Sequence, residues 1–397
     1  MENKVKFGVN YVPSKNWWYS WTDWDSSSIT EDLEAISNIG IDHIRIHCDW
    51  SVFQPNSNYV NRTALKHLEE LLDIADKCKL FVQVTVLDGW LSGFDFFPSW
   101  LKEDNIFTCK EVITAEKLLF KEISDCIGRH PRFLGFDLGN EINVLNRGTN
   151  SITVSEGDKW QTEMFAYLAE ISPDKFHVNG VDHIPWFRNS GFSRHLCGNI
   201  GSATSLHTWI EFTGARKLYA ADEVGCMHIA EYCIELALAY SNDINRKIWV
   251  QEFGASREWM DESFIPEFAE KTIKNILSCS NVWGVTWWCS HDINQKFKGF
   301  SLLEYDMGLL DVNNNLKPVG HRFKEIIAQY KDIPPVLRDS ALVLDDKIFE
   351  GGNSGAWEFV KLFMQTIEKG IKPCILLKER LNDEEYIKSR GIKRILN

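Results

Sequence analysis

Short apolar runs alternate with longer amphipathic stretches along most of this chain. Each run has the length of a buried strand, and each longer stretch has helical spacing, as in the leucines at 65, 68, 71 and 72. Strands that are apolar throughout are typical of a parallel sheet covered by helices. Eight such repeats predict a closed (β/α)8 barrel, the TIM barrel. The predicted strands begin at Phe7, His43, Phe81, Phe133, Phe176, Thr204, Ile248 and Val282.

The chain divides at Pro334-Pro335, beyond which the pattern becomes strand, helix, strand, helix, strand. We therefore expect a catalytic barrel over residues 1–333 and a small α/β extension of βαβαβ pattern over residues 334–397. No catalytic motif occurs in the extension. An open, doubly wound sheet is the alternative fold for the first part. It predicts a glycine-rich phosphate-binding turn after the first strand, and the sequence has none there.

The composition excludes several classes of partner. The formal net charge is −13 and no basic stretch resembles a phosphate-binding face, so we expect no nucleic-acid partner. No apolar run is long enough to span a bilayer, and the N-terminal segment lacks the apolar core of a signal peptide. None of the ten cysteines forms a C-x-x-C pair or has zinc-ligand spacing. We expect a cytoplasmic protein with reduced thiols, no membrane association, no metal and no cofactor.

Two short strings place a carboxylate at the end of a predicted strand. A Gly-Asn-Glu string ending at Glu141 follows the fourth apolar run, and a Gln-Glu-Phe-Gly string containing Glu252 ends the seventh. Side chains at the C-terminal ends of barrel strands face the catalytic rim. Cleavage of a glycosidic bond needs one carboxyl group that keeps its proton and one that is ionised. With 16 tryptophans, whose flat faces suit sugar rings, the pair predicts a carbohydrate-active enzyme.

Four strings in a fixed order give the chain a family resemblance. They are residues 7–14, 94–100, 138–141 and 287–292, and they accompany the glutamate of the seventh strand. This set resembles glycoside hydrolase family 5 of clan A, and most closely the β-mannosidases of its subfamily 18. The resemblance covers residues 5–330, roughly the whole predicted barrel. It implies a retaining glycosidase whose partner is an oligosaccharide substrate.

The resemblance implies a role for each catalytic residue. Glu141 would be the general acid/base, and Glu252 would be the nucleophile that forms a glycosyl-enzyme intermediate. In retaining enzymes two such carboxyl groups lie about 5–5.5 Å apart. Arg45, at the end of the second strand, would support Glu252 and keep it ionised. A buried arginine without a charged partner would be costly, so an ion pair at Arg45 is expected on physical grounds as well.

The sugar contacts are implied in the same way. Asn140 would bind the 2-hydroxyl group of the sugar, and His207, which ends the sixth strand, would orient the polar network. Trp287, after the eighth strand, would stack under the sugar at the point of cleavage. Because side chains alternate along a strand, its neighbour Trp288 would point the other way.

Two positions depart from the family pattern. The family has a tyrosine that donates to the nucleophile two residues after the histidine, where this chain has Trp209. Either the Trp209 indole N–H replaces that donor, or another tyrosine such as Tyr305 does. The family also has a histidine after the third strand, and here Asp88 or Trp90 would take over its sugar contact. Asp292 either binds sugar hydroxyl groups or caps the following segment.

These residues favour an exo-acting β-mannosidase that releases mannose from short oligosaccharides. The long inserts at residues 88–105 and 142–160 would close one end of the cleft, as an exo enzyme needs. A β-glucosidase, or an endo-acting glucanase or mannanase, could use the same carboxylates. A carbohydrate-binding barrel without catalysis is a third alternative, supported only by Trp209. The sequence leaves the oligomeric state open, with a homo-oligomer among the options.

Overall fold

The barrel strands form one parallel sheet. The computed structural model describes residues 4–396, apart from the side chain of Trp18, so residues 1–3 and 397 at the ends of the two predicted domains lie outside it. The strands are β1 (Lys6–Asn10), β2 (His43–Asp49), β3 (Phe81–Asp88), β4 (Trp90–Leu91), β5 (Phe94–Asp95), β6 (Phe133–Asp137), β7 (Thr204–His207), β8 (Ile248–Phe253), β9 (Val282–Trp287), β10 (Ser340–Leu344), β11 (Cys374–Leu377) and β12 (Arg394–Leu396). Neighbours in the main sheet follow the order β6-β3-β2-β1-β9-β8-β7.

The segment 176–179 occupies the remaining position of the barrel, between β6 and β7. Phe176 N donates to Leu134 O at 2.8 Å, and Val178 N donates to Phe136 O at 2.9 Å, which joins the segment to β6. On its other side, the backbone N–H of residue 202, just before β7, donates to His177 O at 2.8 Å. These bonds close the circle of eight. The predicted (β/α)8 barrel is therefore confirmed, with Glu141 following the fourth position and Glu252 lying in the seventh.

Helices follow the barrel strands and cover the outside of the sheet. They are α1 (Ser26–Ile39), α2 (Trp50–Phe53), α3 (Arg62–Lys77), α4 (Lys110–Ile127), α5 (Val154–Ile171), α6 (Ile184–Phe187), α7 (Arg194–Cys197), α8 (Val224–Tyr240), α9 (Ile265–Leu277), α10 (Pro318–Tyr330), α11 (Gly352–Glu368) and α12 (Glu384–Ser389). The leucine stripe predicted in α3 is buried. Across residues 4–396, no helix combines the length and the apolar character needed to cross a bilayer.

α8 is buried along nearly its whole length. One face of the helix packs on the barrel, and a C-terminal unit covers the opposite face. In that unit β10, β11 and β12 form a parallel sheet in the order β11-β10-β12, and α11 and α12 complete the expected βαβαβ pattern. Arg338, which precedes β10, forms buried ion pairs with Glu231 and Glu235 of α8 at 2.6 and 3.2 Å. Arg390 also pairs with Glu235, at 3.1 Å. Buried charges need such partners, so these contacts give the packing of the unit a specific geometry.

Candidate active site

Glu141 and Glu252 lie together at the C-terminal mouth of the barrel. Glu141 follows β6, and Glu252 lies near the end of β8. One carboxylate oxygen of each glutamate and a ring nitrogen of His207 lie within 4.8 Å of one another. Glu141 has a backbone φ of 45°, in the left-handed region that residues with a side chain rarely adopt. Such strained positions are concentrated at functional sites, where the surrounding structure holds them in place.

Glu252 is buried and receives hydrogen bonds on both carboxylate oxygens. Arg45 Nη1 donates to Oε1 at 2.6 Å, and Trp209 Nε1 donates to Oε2 at 3.2 Å. Both donors favour the ionised carboxylate. Trp209 therefore occupies the place of the family tyrosine as a donor. The alternative donor, Tyr305, is excluded because its hydroxyl group donates to Phe297 O at 2.7 Å.

Arg45 is fully buried and organises the floor of the site. Besides Glu252 it contacts Asp137, to which its Nε donates at 2.9 Å. Its remaining donors reach Asn10 Oδ1 at 3.0 Å and Asn140 Oδ1 at 3.1 Å. The expected charged partner of Arg45 is thus confirmed, and there are two of them. Sequence reasoning missed Asp137, although a carboxylate at the end of a buried apolar run was a signal that it needed a cation.

Gln251, a residue that sequence reasoning also missed, fixes the protonation pattern of His207. Its Nε2 donates to Asp137 Oδ2 at 3.0 Å, and its Oε1 faces His207 Nε2 at 3.1 Å. Because that oxygen can only accept, His207 carries a proton on Nε2. Burial lowers the pKa of His207, so the ring is neutral and its Nδ1 is a hydrogen-bond acceptor. Nδ1 lies 3.0 Å from Glu141 Oε1, and this hydrogen bond therefore requires a proton on Glu141.

The surroundings of the two glutamates separate their affinities for a proton. Burial raises the pKa of Glu141 to about 8, and the Asp182 carboxylate acts in the same direction. Burial also raises the pKa of Glu252, to about 7, against the opposing charge of Arg45. The hydrogen bonds assign the proton to Glu141, because His207 Nδ1 accepts from it, whereas Arg45 and Trp209 donate to Glu252 and favour its ionised form. This is the assignment that a general acid paired with a nucleophile requires.

The ring at the site is Trp288, and the prediction for Trp287 is wrong. Trp287 is fully buried, its indole N–H donates to Met307 O at 2.9 Å, and its ring packs against Phe323 of α10. It points outward, into the layer between sheet and helices. Trp288, one residue beyond β9, has its ring next to that of Trp209, with centroids 6.5 Å apart. The aromatic face beside the glutamates therefore belongs to Trp288.

Asp88 and Trp90 surround Asn140. Asp88 is fully buried: its Oδ1 accepts from Asn140 N at 2.9 Å and its Oδ2 lies 3.1 Å from His47 Nδ1. The prediction that Asp88 contacts the sugar is therefore wrong. Both its oxygens have protein partners, and Asp88 positions Asn140 instead. Trp90 accepts from Asn140 Nδ2 through its backbone oxygen at 3.1 Å. Its ring is only partly buried, with the Arg147 guanidinium 4.7 Å from the centroid, so Trp90 lies at the rim.

Asp292 does not contribute to the catalytic cluster. Its Oδ1 lies 2.7 Å from Lys317 Nζ and accepts from Gly308 N at 2.9 Å. These contacts hold the loop after β9 against the start of α10. The expectation that Asp292 binds sugar hydroxyl groups is therefore wrong. The structure shows the alternative, a structural role in which Asp292 accepts a hydrogen bond from a backbone N–H.

Three ligand-type side chains as close as Glu141, His207 and Glu252 also have the geometry of a metal site. The Arg45 guanidinium, 2.6 Å from Glu252, already supplies positive charge at this point. His207 is held by Gln251, and the shared proton lies between it and Glu141. The donor set therefore fits an acid/base pair better than a metal centre.

Comparison with known proteins identifies the family. No protein-family model and no curated protein matches the chain. A crystal structure of a GH5_18 protein from Streptomyces cattleya, bound to GlcNAc, matches with a TM-score of 0.95 and 31% identity, over 99% of this chain and 98% of that one. Another, from Bifidobacterium longum subsp. longum ATCC 55813, matches with a TM-score of 0.93 and 33% identity, over 99% and 97% of the two chains. The chain belongs to subfamily 18 of glycoside hydrolase family 5.

This glycoside hydrolase also shares its fold with more distant enzymes. An exo-β-1,4-mannosidase from Opitutaceae bacterium strain TAV5 matches with a TM-score of 0.79 and 18% identity, over 94% of this chain and 69% of that one. The GH5_18 matches extend over both the barrel and the C-terminal unit, because they cover 99% of the hydrolase. The resemblance seen in the sequence is therefore confirmed at the level of the subfamily.

Proposed function

We propose that this hydrolase is a retaining exo-β-mannosidase that releases terminal mannose from short β-mannosides. The observation that carries the retaining mechanism is the short separation of Glu141 and Glu252, which have one carboxylate oxygen each within 4.8 Å of the other. Retaining enzymes hold their carboxyl groups about 5–5.5 Å apart, whereas inverting enzymes need about 6.5–9.5 Å to admit a water molecule. The separation supports the first class.

The reaction proceeds in two displacements. In the first, a carboxylate oxygen of Glu252 bonds to the anomeric carbon, the bond to the leaving oxygen breaks, and Glu141 gives its proton to that oxygen. Arg45 and Trp209 orient Glu252 for this attack. In the second, ionised Glu141 takes a proton from water, the water oxygen bonds to the anomeric carbon, and Glu252 leaves. Two inversions give net retention.

Mannose as the released sugar is supported by members of the same subfamily. Glu-to-Ala variants of the Streptomyces cattleya and Bifidobacterium longum proteins have been crystallised with Manβ1-4GlcNAc, and those proteins are 31% and 33% identical to this chain. We therefore propose Manβ1-4GlcNAc, or a similarly short β-mannoside, as the substrate.

Exo action is supported by contacts that cover one side of the barrel mouth. The β4–β5 hairpin meets the loop after β9, where the Ser92 hydroxyl group donates to Glu304 Oε2 at 3.1 Å and the rings of Phe94 and Phe300 lie 5.1 Å apart. Arg147, from the insert after β6, pairs with Asp95 of the same hairpin. An endo-acting enzyme needs a cleft open at both ends, so these contacts favour a site for a chain end.

Substrate panels and two variants test the proposal. Aryl β-mannoside, aryl β-glucoside, polymeric mannan and Manβ1-4GlcNAc should be compared, and NMR should show β-mannose as the first product. Glu252→Ala should abolish hydrolysis. Glu141→Ala should lose the disaccharide activity, yet recover turnover of an activated aryl mannoside when azide is added. Glu103→Ala, at an exposed position of the 88–105 insert, is the matched control and should be as active as the unmodified enzyme.

Each part of the proposal has its own contrary result. Faster cleavage of the glucoside would overturn the mannose assignment, and internal cleavage of mannan would overturn exo action. Full activity of Glu252→Ala would overturn the nucleophile. Binding of oligosaccharide without hydrolysis of any substrate would favour the carbohydrate-binding alternative.

A further inference from the structure

Glu304, on the loop that follows β9, lies beside the candidate active site. Its Oε2 accepts a hydrogen bond from the Ser92 hydroxyl group at 3.1 Å, and the Trp288 side chain also hydrogen-bonds to it. Glu141 is close enough for its charge to act on Glu304. Glu304 therefore shares its surroundings with the aromatic ring and the general acid of the site, although no motif marks it in the sequence.

The contact between Ser92 and Glu304 defines which side of the barrel mouth is covered. Ser92 belongs to the hairpin after β3, and β2 and β1 lie between β3 and β9 in the sheet. A contact between the loops of β3 and β9 therefore covers the space above β1 and β2. Glu141 borders this space from the far side of β3, because it follows β6, which pairs with the other edge of β3.

The hydrogen-bonding capacity of Glu304 is not used up by its neighbours. Among the residues that the structure describes, no cation forms an ion pair with Glu304, whereas nearby Asp292 pairs with Lys317. Burial raises the pKa of Glu304 to about 7, and the Ser92 and Trp288 contacts oppose this rise. An ionised carboxylate can accept about four hydrogen bonds, of which these two neighbours supply two. Sugar hydroxyl groups are the matching donors.

We propose that Glu304 is a specificity-determining residue that binds hydroxyl groups at the non-reducing end of the sugar. The inference rests on the proposed exo function, and it names the group that recognises the chain end. Because the leaving group departs at Glu141, the opposite end of the ring lies toward the covered side, with its 4- and 6-hydroxyl groups foremost. A sugar attached at position 4 would meet the two loops instead.

Substrate analogues that lack one hydroxyl group provide the test. Wild type, Glu304→Ala, Glu304→Gln and Ser92→Ala are assayed on an aryl β-mannoside and on its 4-deoxy and 6-deoxy analogues. Glu103→Gln, exposed on the insert that carries Ser92, is the matched control. Thermal unfolding of each variant separates loss of fold from loss of recognition, and the milder Glu304→Gln and Ser92→Ala variants keep the test decisive if Glu304→Ala is unstable.

We expect wild type to cleave at least one deoxy analogue about 10- to 100-fold less efficiently, the range for losing a hydrogen bond to a charged group. Glu304→Ala should lose a similar factor in kcat/KM on the parent substrate, mainly through KM, and should not discriminate further against that analogue. Two changes that remove one shared contact are not additive. Ser92→Ala should show a smaller loss, about 3- to 10-fold, with weaker discrimination.

The proposal is overturned if the loss of kcat/KM from Glu304→Ala and the loss from removing a hydroxyl group multiply for both analogues. It is also overturned if Glu304→Ala and Glu103→Gln have the same kcat/KM on the parent substrate. Its failure is distinguishable from failure of the proposed function. Mannose and glucose differ only at carbon 2, so the same comparison can be made with deoxy glucosides if the glucoside proves the better substrate.

Discussion

Gln251 accepts the Nε2–H of His207 at 3.1 Å and so determines which ring nitrogen of His207 faces Glu141. The consequence reaches the catalytic proton, because Nδ1 must then accept from Glu141 rather than donate to it. Gln251 is held in turn by Asp137, which pairs with Arg45. A chain of buried hydrogen bonds therefore links the cation of the site to the protonation of the general acid.

Replacing Gln251 by methionine should release His207 from this arrangement. The ring could then carry its proton on Nδ1 and donate to the Glu141 carboxylate, which stabilises the ionised form and lowers the pKa of Glu141. Glu141 must be protonated to act as an acid, so kcat/KM falls as pH rises through its pKa of about 8. We expect the alkaline limb of the pH profile to move down by about one unit. An alkaline limb identical to that of the exposed control Gln365→Met would contradict the argument.

Replacing Trp209 by phenylalanine should act on the opposite limb of the profile. The indole N–H that donates to Glu252 lowers the pKa of this carboxyl group, so its removal should raise the pKa above about 7. Glu252 must be ionised to attack, so kcat/KM falls as pH falls through that value. The acid limb should move up by about one unit and kcat/KM should fall about 10-fold.

Trp259→Phe is the matched control for Trp209. The two rings pack edge to face with centroids 5.8 Å apart, and both are buried. The control therefore perturbs the same aromatic cluster while leaving the hydrogen bond to Glu252 in place. If both variants moved the acid limb equally, packing rather than the indole donor would be responsible.

The adjacent residues Trp287 and Trp288 should respond differently to substitution. Trp288→Ala removes the ring beside the glutamates, so kcat/KM of the folded enzyme should fall about 10- to 100-fold, and because the ring is only 5% exposed its loss should lower stability as well. Trp287→Phe removes a core hydrogen bond to Met307 O and leaves a small cavity. It should lower the free energy of unfolding by about 1–3 kcal/mol and leave kcat/KM nearly unchanged. Urea unfolding and steady-state kinetics on both variants check this, and an exchange of the two phenotypes would refute the assignment.

The barrel and its catalytic pair are predictable from the sequence because both follow from local pattern. Apolar runs identify buried strands, and the polar residue that ends such a run must lie at a rim of the barrel. His207 and Glu252 lie at the ends of β7 and β8, and Glu141 follows β6. Arg45 was expected at the end of its strand but lies inside β2, which continues to Asp49, so its side chain is in the floor of the site. Where the connection from such a strand to the next helix is long, it forms a loop that can contribute to a site.

What escapes prediction depends on register and on contacts between distant loops. Strand alternation places Trp287 and Trp288 on opposite sides, but which of them faces the site depends on how β9 pairs with its neighbours. Gln251 is one polar residue in an apolar run, and only closure of the barrel brings it to His207. Glu304 lies in a loop without periodicity, and its partner Ser92 is 212 positions away in the sequence.

The C-terminal unit depends on Arg338 in a way that allows a sharp test of stability. Arg338 pairs with Glu231 and Glu235, and all three side chains are at most 4% exposed. Arg338→Met would leave two buried carboxylates without their main cation, and this should lower the free energy of unfolding by about 3–5 kcal/mol. Arg394→Met removes an exposed pair with Asp339 and should cost about 0–1 kcal/mol. Urea unfolding measures both, with kcat of the folded enzyme expected to stay constant. Equal stabilities for the two variants would show that the buried pairs do not hold the unit to the barrel.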